Sequence, residues 1–115
     1  MKCINCPIAE TRQVESDGSR NASLFIILEA PGPDEVLQGR PAIGRSGTLL
    51  RSLLNNLGIY SFYISNSTQC IPPAVPSIQR TCREACTERL FEEINTVNPK
   101  LVLTMGAAPY ELVTG

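Results

Sequence analysis

The sequence predicts an α/β fold, a short parallel sheet sandwiched by helices, and three observations lead to this prediction. Three short apolar runs occur along the 115 residues, each with the length of a buried strand. Segments with apolar residues at helical spacing separate these runs. Glycine- and proline-rich stretches bound them. Strands that alternate with helices form parallel sheets, because each helix returns the chain to the start of the next strand. We expect a single domain over residues 1–115. Since three strands are few, it is either part of a larger fold or a domain that packs against a partner.

The first half of the chain contains one strand, one long loop and one helix. Residues 7–21 are polar and contain glycine, serine and asparagine, which predicts a loop or a short hairpin. The apolar run Leu24–Leu28 predicts a buried strand. Residues 29–47 hold four glycines and three prolines. We expect a long loop there, at the carboxyl end of the strand, where α/β proteins place ligand sites. Leucines at helical spacing predict a helix over Gly47–Leu57, with Gly58 as its C-cap.

The second half repeats the alternation of strand and helix. Phe62–Ile64 predicts the second strand, and the prolines of Ile71–Pro76 predict a rigid extended turn. A helical pattern extends over Ser77–Asn98, with the serine as its N-cap. Leu101–Thr104 predicts the third strand, and Gly106–Pro109 predicts the start of another helix.

The composition excludes several classes of site. The chain has no histidine, which excludes Ser-His-Asp triads, histidine general bases and zinc sites that use imidazole. Ten Lys and Arg against eleven Asp and Glu give a net charge of −1, so no polybasic nucleic-acid surface is expected beyond a small local patch. No secretory signal follows Met1, and no apolar run has membrane-spanning length. We therefore expect a protein of the reducing cytoplasm without a membrane partner.

Four cysteines have the spacing of metal ligands. Cys3 and Cys6 form a C-x-x-C pair that presents two thiolates on one short loop, and Cys70 and Cys86 would complete a four-sulfur site. Two alternatives stay open at this point: free buried cysteines, or disulfides in an extracellular protein. A fifth cysteine, Cys82, lies one helical turn before Cys86, and we expect it to be a small buried side chain rather than a ligand.

Several short motifs follow one another along most of the chain. They are Leu28–Gly32, Glu35, Gln38–Pro41, Gly44–Gly47 with Leu49 and Leu50, Tyr63–Asn66, Cys70–Pro73, Cys86, Asn98–Lys100 and Leu103–Gly106. In this order and spacing, the chain resembles the family 4 uracil-DNA glycosylases, the iron–sulfur enzymes of the uracil-DNA glycosylase superfamily. The resemblance implies a partial uracil-DNA glycosylase-like fold with an N-terminal cysteine loop.

The resemblance also implies a 4Fe–4S cluster and a uracil pocket. By resemblance, the cluster ligands are Cys3, Cys6, Cys70 and Cys86; zinc is the less favoured metal. The carboxylate that positions water or stabilises the sugar cation is Glu29, with Glu35 second. Asn66 is placed against the uracil edge, where its carbonyl accepts from N3–H and its NH₂ donates to O4. The other substrate-binding residues implied are Ala30, Pro31, Gly32 and Ala42. Without the resemblance, Glu29 would be a solvated loop carboxylate and Asn66 a turn residue that ends a strand.

Four departures from the family pattern concern the enzymatic function. Ala42 stands where the family has the phenylalanine that stacks on the base, a contact worth about 1–3 kcal/mol. Leu28 replaces a glycine, and Gln69 replaces a basic residue. The late His-Pro-Ser motif has no counterpart, and losing such a donor to the departing anion costs about 10²–10³-fold in rate.

These departures lead to two expected functions. The first is an iron–sulfur protein of glycosylase ancestry that serves as a non-catalytic structural or interaction module in a larger assembly, for example a phage particle. The alternative is a DNA-repair uracil-DNA glycosylase that excises uracil from DNA, which the retained Glu29 and Asn66 favour. A zinc-binding module unrelated to glycosylases would leave the loop motifs unexplained. We expect a protein partner that completes the fold, DNA as a second partner, and a cytoplasmic or virion location.

Overall fold

The computed structural model describes residue 6 and residues 13–115, which form one mixed sheet packed against helices. The strands are β1 (Asp17–Gly18), β2 (Leu24–Leu28), β3 (Phe62–Asn66) and β4 (Leu101–Thr104). The helices are α1 (Pro33–Gln38), α2 (Arg45–Asn56), α3 (Pro76–Val97) and α4 (Ala107–Thr114). The predicted α/β fold class is therefore confirmed.

The three predicted strands form the parallel part of the sheet. The strand order is β1-β3-β2-β4, and β2 pairs in parallel with both β3 and β4. Leu24 pairs with Phe62 and Leu101 at one end of β2, and Leu28 pairs with Asn66 at the other. The carboxyl ends of β2 and β3 therefore lie side by side, which places the loops that follow them at one edge of the sheet.

Two apolar clusters on opposite faces of the sheet hold the helices. Side chains of β2 alternate between the clusters, because successive residues of a strand point to opposite faces. The first cluster contains Ala22, Phe25, Ile27, Tyr63, Leu90 and Val97, with Ile94, Val102, Leu112 and Val113 packed against it. The second contains Leu24, Ile26, Ala42, Leu54 and Ile64. Thus α3 and α4 cover one face and α2 the other, which explains why β2 is apolar without interruption.

The predicted helices are present, with differences at their ends. The helix predicted over Gly47–Leu57 is α2, which begins two residues earlier, at Arg45. Its C-cap is Leu57 rather than Gly58; Gly58 follows the cap and has a positive φ (76°). The N-cap of α3 is Val75 rather than Ser77, because Pro76 occupies the first helical turn, where its missing N–H is not needed. Although α3 is 22 residues long, no helix in residue 6 or residues 13–115 is both long and apolar enough to cross a membrane.

Two short elements were not predicted. Within residues 29–47 the chain forms α1, whose N-cap is Gly32 and whose C-cap is Gly39 in the left-handed conformation (φ 74°). Within residues 7–21, Asp17–Gly18 forms β1, an antiparallel edge strand that pairs with Tyr63 and Ile64. Both elements are too short to show a periodic pattern, and tertiary contacts specify them.

Candidate functional site

A cavity of about 330 Å³ lies at the carboxyl ends of β2 and β3. The loop after β2, with α1 and the start of α2, forms its walls. Six of the residues predicted from the sequence line it: Ala30, Pro31, Gly32, Glu35, Ala42 and Asn66. Leu28 also lines this cavity, beside its register partner Asn66. The volume lies at the low end of the range of about 300–1,000 Å³ that ligand pockets occupy.

Asn66 is the one lining residue with an unmet hydrogen-bonding need. The residue is 3% exposed, and its side-chain oxygen is buried without a hydrogen-bond partner among the described residues. A buried acceptor left unsatisfied costs about 1–3 kcal/mol, so native proteins rarely keep one without a reason. A ligand that donates a hydrogen bond to Asn66 would remove this cost.

Glu35 organises the cavity wall. One carboxylate oxygen accepts from the backbone N–H of Gly32 (3.0 Å), and the other accepts from those of Ile43 (2.8 Å) and Gly44 (2.5 Å). Burial alone would raise the pKa of Glu35, but the backbone hydrogen bonds, led by that from Gly44, lower it. Glu35 thus joins the start of α1 to the loop before α2 and is kept ionised, which suits a structural carboxylate more than a proton acceptor.

Ala42 is held by contacts to its backbone. It has a positive φ of 55°, and its carbonyl accepts from Arg51 Nε at 2.7 Å. Arg51 also donates to the carbonyl of Pro41 at 2.8 Å. A Cβ on Gly47 would lie 2.2 Å from the carbonyl carbon of Ala42, so only glycine allows this close approach. The small Ala42 side chain leaves no aromatic ring at this point of the wall.

Glu29 does not share the cavity of Asn66. It is exposed and lines a second cavity of about 250 Å³ together with Arg83 and Thr68. Ala30 lines both cavities, so the two are neighbours. The backbone carbonyl of Glu29 accepts from the N–H of Thr68 at 3.3 Å. A role for the Glu29 carboxylate stays a prediction.

One of the four predicted metal ligands, Cys3, lies outside the described residues. Cys70 and Cys86 are buried, Cys6 is half-buried, and none of the described cysteines forms a disulfide. Burial raises the pKa of the Cys82 thiol to about 11, helped by the charge and hydrogen bond of Cys6 and by the charges of Cys86 and Cys70. Cys82 and Cys6 thus lie within hydrogen-bonding distance of each other. Within residue 6 and residues 13–115, however, no three His, Cys, Asp or Glu side chains form a group that could hold a metal ion.

The donor chemistry of this region nonetheless fits a sulfur-rich metal centre. Every candidate ligand is a thiol, and soft thiolates favour iron–sulfur clusters or zinc. Thiols that lie close together in a buried region would be stabilised as thiolates by a metal. The contact between Cys82 and Cys6 was not predicted.

Comparison with known proteins gives the family. A sequence model of the Uracil DNA glycosylase superfamily matches residues 15–115. The chain belongs to the uracil DNA glycosylase superfamily. The match spans the whole described sheet and both cavities.

Relatives within this superfamily confirm the resemblance to family 4. The Type-4 uracil-DNA glycosylase of Thermotoga maritima is 34% identical over 110 residues, which are 92% of this chain and 57% of that protein. The Type-4 enzymes of Pyrobaculum aerophilum and Archaeoglobus fulgidus are 32% and 30% identical, over 90% and 92% of this chain and 55% of each protein. The chain thus spans about half the length of the curated relatives it matches.

One polar network in this superfamily member was missed from the sequence. Arg89, which is buried, and Glu93, which is half-buried, form an ion pair within α3 on the sheet face opposite the cavity of Asn66. Glu93 accepts from the hydroxyls of Tyr63 (2.6 Å) and Ser65 (3.1 Å). Burial and Glu93 raise the pKa of Tyr63 to about 12. The only sequence signal was the i, i+4 spacing of Arg89 and Glu93, which is equally typical of exposed helix pairs.

Proposed function

We propose that this chain recognises uracil in DNA, as the base-binding part of a uracil-DNA glycosylase. The observation that carries the proposal is the buried, unpartnered oxygen of Asn66 beside a cavity of about 330 Å³. The names of the relatives, Type-4 uracil-DNA glycosylase, support the same substrate.

The chemistry of the cavity suits a uracil ring. Uracil donates one hydrogen bond from N3–H and accepts at O4, and a single carboxamide complements both groups. A base must leave the helical stack to reach such a cavity, so the substrate is a flipped or single-stranded nucleotide. Glu29, in the neighbouring cavity, is the carboxylate we propose for stabilising the sugar cation or positioning water.

We further propose a 4Fe–4S cluster held by Cys3, Cys6, Cys70 and Cys86. Such a cluster supplies a covalent cross-link between the N-terminal segment, the loop after β3 and α3. Support comes from the all-thiol donor set and from the interactions of Cys6, Cys70 and Cys86 with Cys82.

Binding of matched oligonucleotides tests the uracil proposal. One single-stranded DNA contains a central uracil, and the other contains thymine at that position. Thymine has the same N3–H and O4 as uracil and differs only in its 5-methyl group, so we expect the chain to bind the uracil strand more tightly because the cavity of about 330 Å³ excludes that methyl. Only uracil then reaches Asn66, and we expect Asn66→Asp to lower this uracil-to-thymine affinity ratio about 10- to 100-fold, because a carboxylate cannot donate to O4. Asn55→Asp is the control, since it makes the same change at an exposed position of α2. Equal affinities of the unaltered chain for both strands would refute the proposal.

A second function, a protein-interaction module, is favoured by one observation. β4 pairs only with β2 in the described sheet, and its side chains Leu101 and Leu103 are 62% and 39% exposed. An open strand edge with apolar side chains is a typical contact surface for another protein segment. Under this proposal the chain associates with itself or with a partner, and Leu101→Lys/Leu103→Lys makes it a monomer. Sedimentation analysis measures the molecular mass in each case. A chain that is monomeric with and without these substitutions, and discriminates uracil, would exclude it.

A further inference from the structure

We propose that Arg89 is a positioning residue for Asn66, acting through the backbone of β3 from the opposite face of the sheet. The inference rests on the proposed function, because it assigns Asn66 to base recognition. Its geometry stands independently of that assignment. The Arg89 guanidinium donates to Ser65 Oγ (2.6 Å), to the carbonyl of Asn66 (2.8 Å) and to the carbonyl of Ser67 (3.5 Å). One side chain thus contacts three consecutive residues at the carboxyl end of the strand.

These contacts lie where the pairing with β1 is interrupted. β1 pairs only with Tyr63 and Ile64, and the chain before it next bonds the backbone at Gln69, through the Val14 N–H (2.6 Å), so the ladder does not include Asn66 and Ser67. On the inner edge, Ser67 donates its N–H to the Leu28 carbonyl at 2.8 Å. Buried carbonyls need hydrogen-bond donors. Arg89 therefore supplies hydrogen bonds on the outer side of this segment, where β2 supplies them on its inner side.

The guanidinium is itself held rigidly. Arg89 is 6% exposed, and its ion pair with Glu93 fixes it while Glu93 accepts from the Tyr63 and Ser65 hydroxyls. Nη1 donates to Ser65 and Glu93 while Nη2 donates to the two peptide carbonyls, so the planar fork contacts the ion-pair partner and the strand backbone at once, from two nitrogens at a fixed separation. The orientation of the Asn66 peptide determines where its Cβ and carboxamide point, so Arg89 sets the direction of the carboxamide in the cavity.

The test uses double variants that avoid leaving one buried charge unpaired. In Arg89→Met/Glu93→Gln, the donors to Asn66 and Ser67 are lost, while the carboxamide oxygen introduced by the second substitution still accepts from Tyr63. The matched control is Arg20→Met/Glu92→Gln. Arg20, Arg89, Glu92 and Glu93 all line a cavity of about 320 Å³ between β3 and α3, so each variant removes one cation and one carboxylate from it, and the control keeps Arg89 paired with Glu93. Each variant is compared with the unaltered chain by two measurements: the side-chain NH₂ signals of Asn66 in ¹⁵N NMR spectra, and the uracil-to-thymine affinity ratio of the oligonucleotide pair.

We expect the Arg89 variant to shift the Asn66 side-chain signals and lower the ratio about 10-fold, and the Arg20 variant to change neither. Unchanged Asn66 signals in a folded Arg89 variant would overturn the inference. If the unaltered chain shows no preference for uracil, the proposed function fails, and the NMR signals alone decide the positioning role. If Arg89→Met/Glu93→Gln does not fold, Arg89→Lys carries the test. Lysine has one nitrogen in place of Nη1 and Nη2, so it can keep the Glu93 pair but not also the bonds to the Asn66 and Ser67 carbonyls. The same shift is therefore expected, and its absence would overturn the inference.

Discussion

Substituting Glu35 by glutamine tests whether one carboxylate holds the cavity wall together. The carboxylate accepts three backbone hydrogen bonds, one at Oε1 and two at Oε2. Glutamine has one oxygen, so it can keep the pair from Ile43 and Gly44 or the single bond from Gly32, but not both. Its NH₂ group must then face a backbone N–H, which leaves that donor unsatisfied.

The expected loss follows from the number and type of bonds. A hydrogen bond to a charged group contributes about 1.5–3 kcal/mol and a neutral one about 1 kcal/mol. Glu35→Gln removes one bond to a charged group and makes two others neutral, so we expect a loss of at least about 2.5 kcal/mol. For a chain of this length that corresponds to a decrease in Tm of about 10 °C or more. Urea unfolding followed by circular dichroism measures the difference, with the slope of free energy against urea as a check on the unfolded state.

The difference in unfolding free energy between the unaltered chain and Glu35→Gln should depend on pH with a defined sign. The pKa of Glu35 is lowered in the folded state, so its contribution is fully present above the unfolded pKa of about 4.3 and is lost as the pH falls through the folded value. The stability gap between the unaltered chain and Glu35→Gln should therefore be constant at neutral pH and narrow below about pH 4. Glu93 also has a lowered pKa, but it is present in both the unaltered chain and Glu35→Gln, so its contribution to the stability difference cancels.

Asp34→Asn is the control, because Asp34 is the exposed neighbouring carboxylate in α1. We expect it to change stability by less than about 0.5 kcal/mol. Equal stabilities of Glu35→Gln and Asp34→Asn, or a gap that persists unchanged at low pH, would refute the role assigned to Glu35.

Three further tests have defined outcomes. Gly47→Ala should destabilise the chain by about 3 kcal/mol or more, because its Cβ would lie 2.2 Å from the Ala42 backbone. Gly58→Ala, whose Cβ has open space, should cost only about 1 kcal/mol. Urea unfolding measures both free energies. Cys70→Ser should lose its bound iron and melt at a lower temperature, whereas Cys82→Ser should keep its iron. Metal analysis of the anaerobically purified proteins measures the iron. Iron retained in Cys70→Ser would contradict the proposed cluster ligands. Ala42→Phe should tighten binding of the uracil oligonucleotide about 5- to 100-fold, since base stacking contributes about 1–3 kcal/mol; no gain would show that the cavity cannot admit the ring.

The parts of the fold that sequence predicted are those whose signal is local. β2 is a continuous apolar run because both of its faces are buried, and α2 has a leucine stripe because only one of its faces is. β1 and α1 could not be predicted in this way. β1 exists because two residues pair with β3, and α1 depends on the Glu35 side chain reaching back to the N–H of Gly32. Such short elements arise from contacts that form only in the folded chain.

The candidate site was also predicted only in part. Motif resemblance placed Asn66, Ala42 and the loop after β2 together, because parallel strands bring their carboxyl ends to one edge. It placed Glu29 with them, whereas the Glu29 side chain lies in the neighbouring cavity. Arg89 was missed because its contact with Asn66 depends on where the pairing between β1 and β3 stops, which no local pattern records.

α3 joins the cysteine region to the cavity of Asn66. Cys82 and Cys86 lie on this helix, and Arg89 follows Cys86 by three residues, an axial rise of about 4.5 Å. Arg89 in turn contacts the backbone of Asn66. A helix is stiff over such a distance, so ligation of Cys86 would fix the position of α3 and with it the carboxamide in the cavity. We therefore expect Cys70→Ser, with its iron lost, to lower the uracil-to-thymine affinity ratio at temperatures well below its own melting point. A ratio equal to that of the unaltered chain, measured on folded iron-free protein, would show that the two regions are independent.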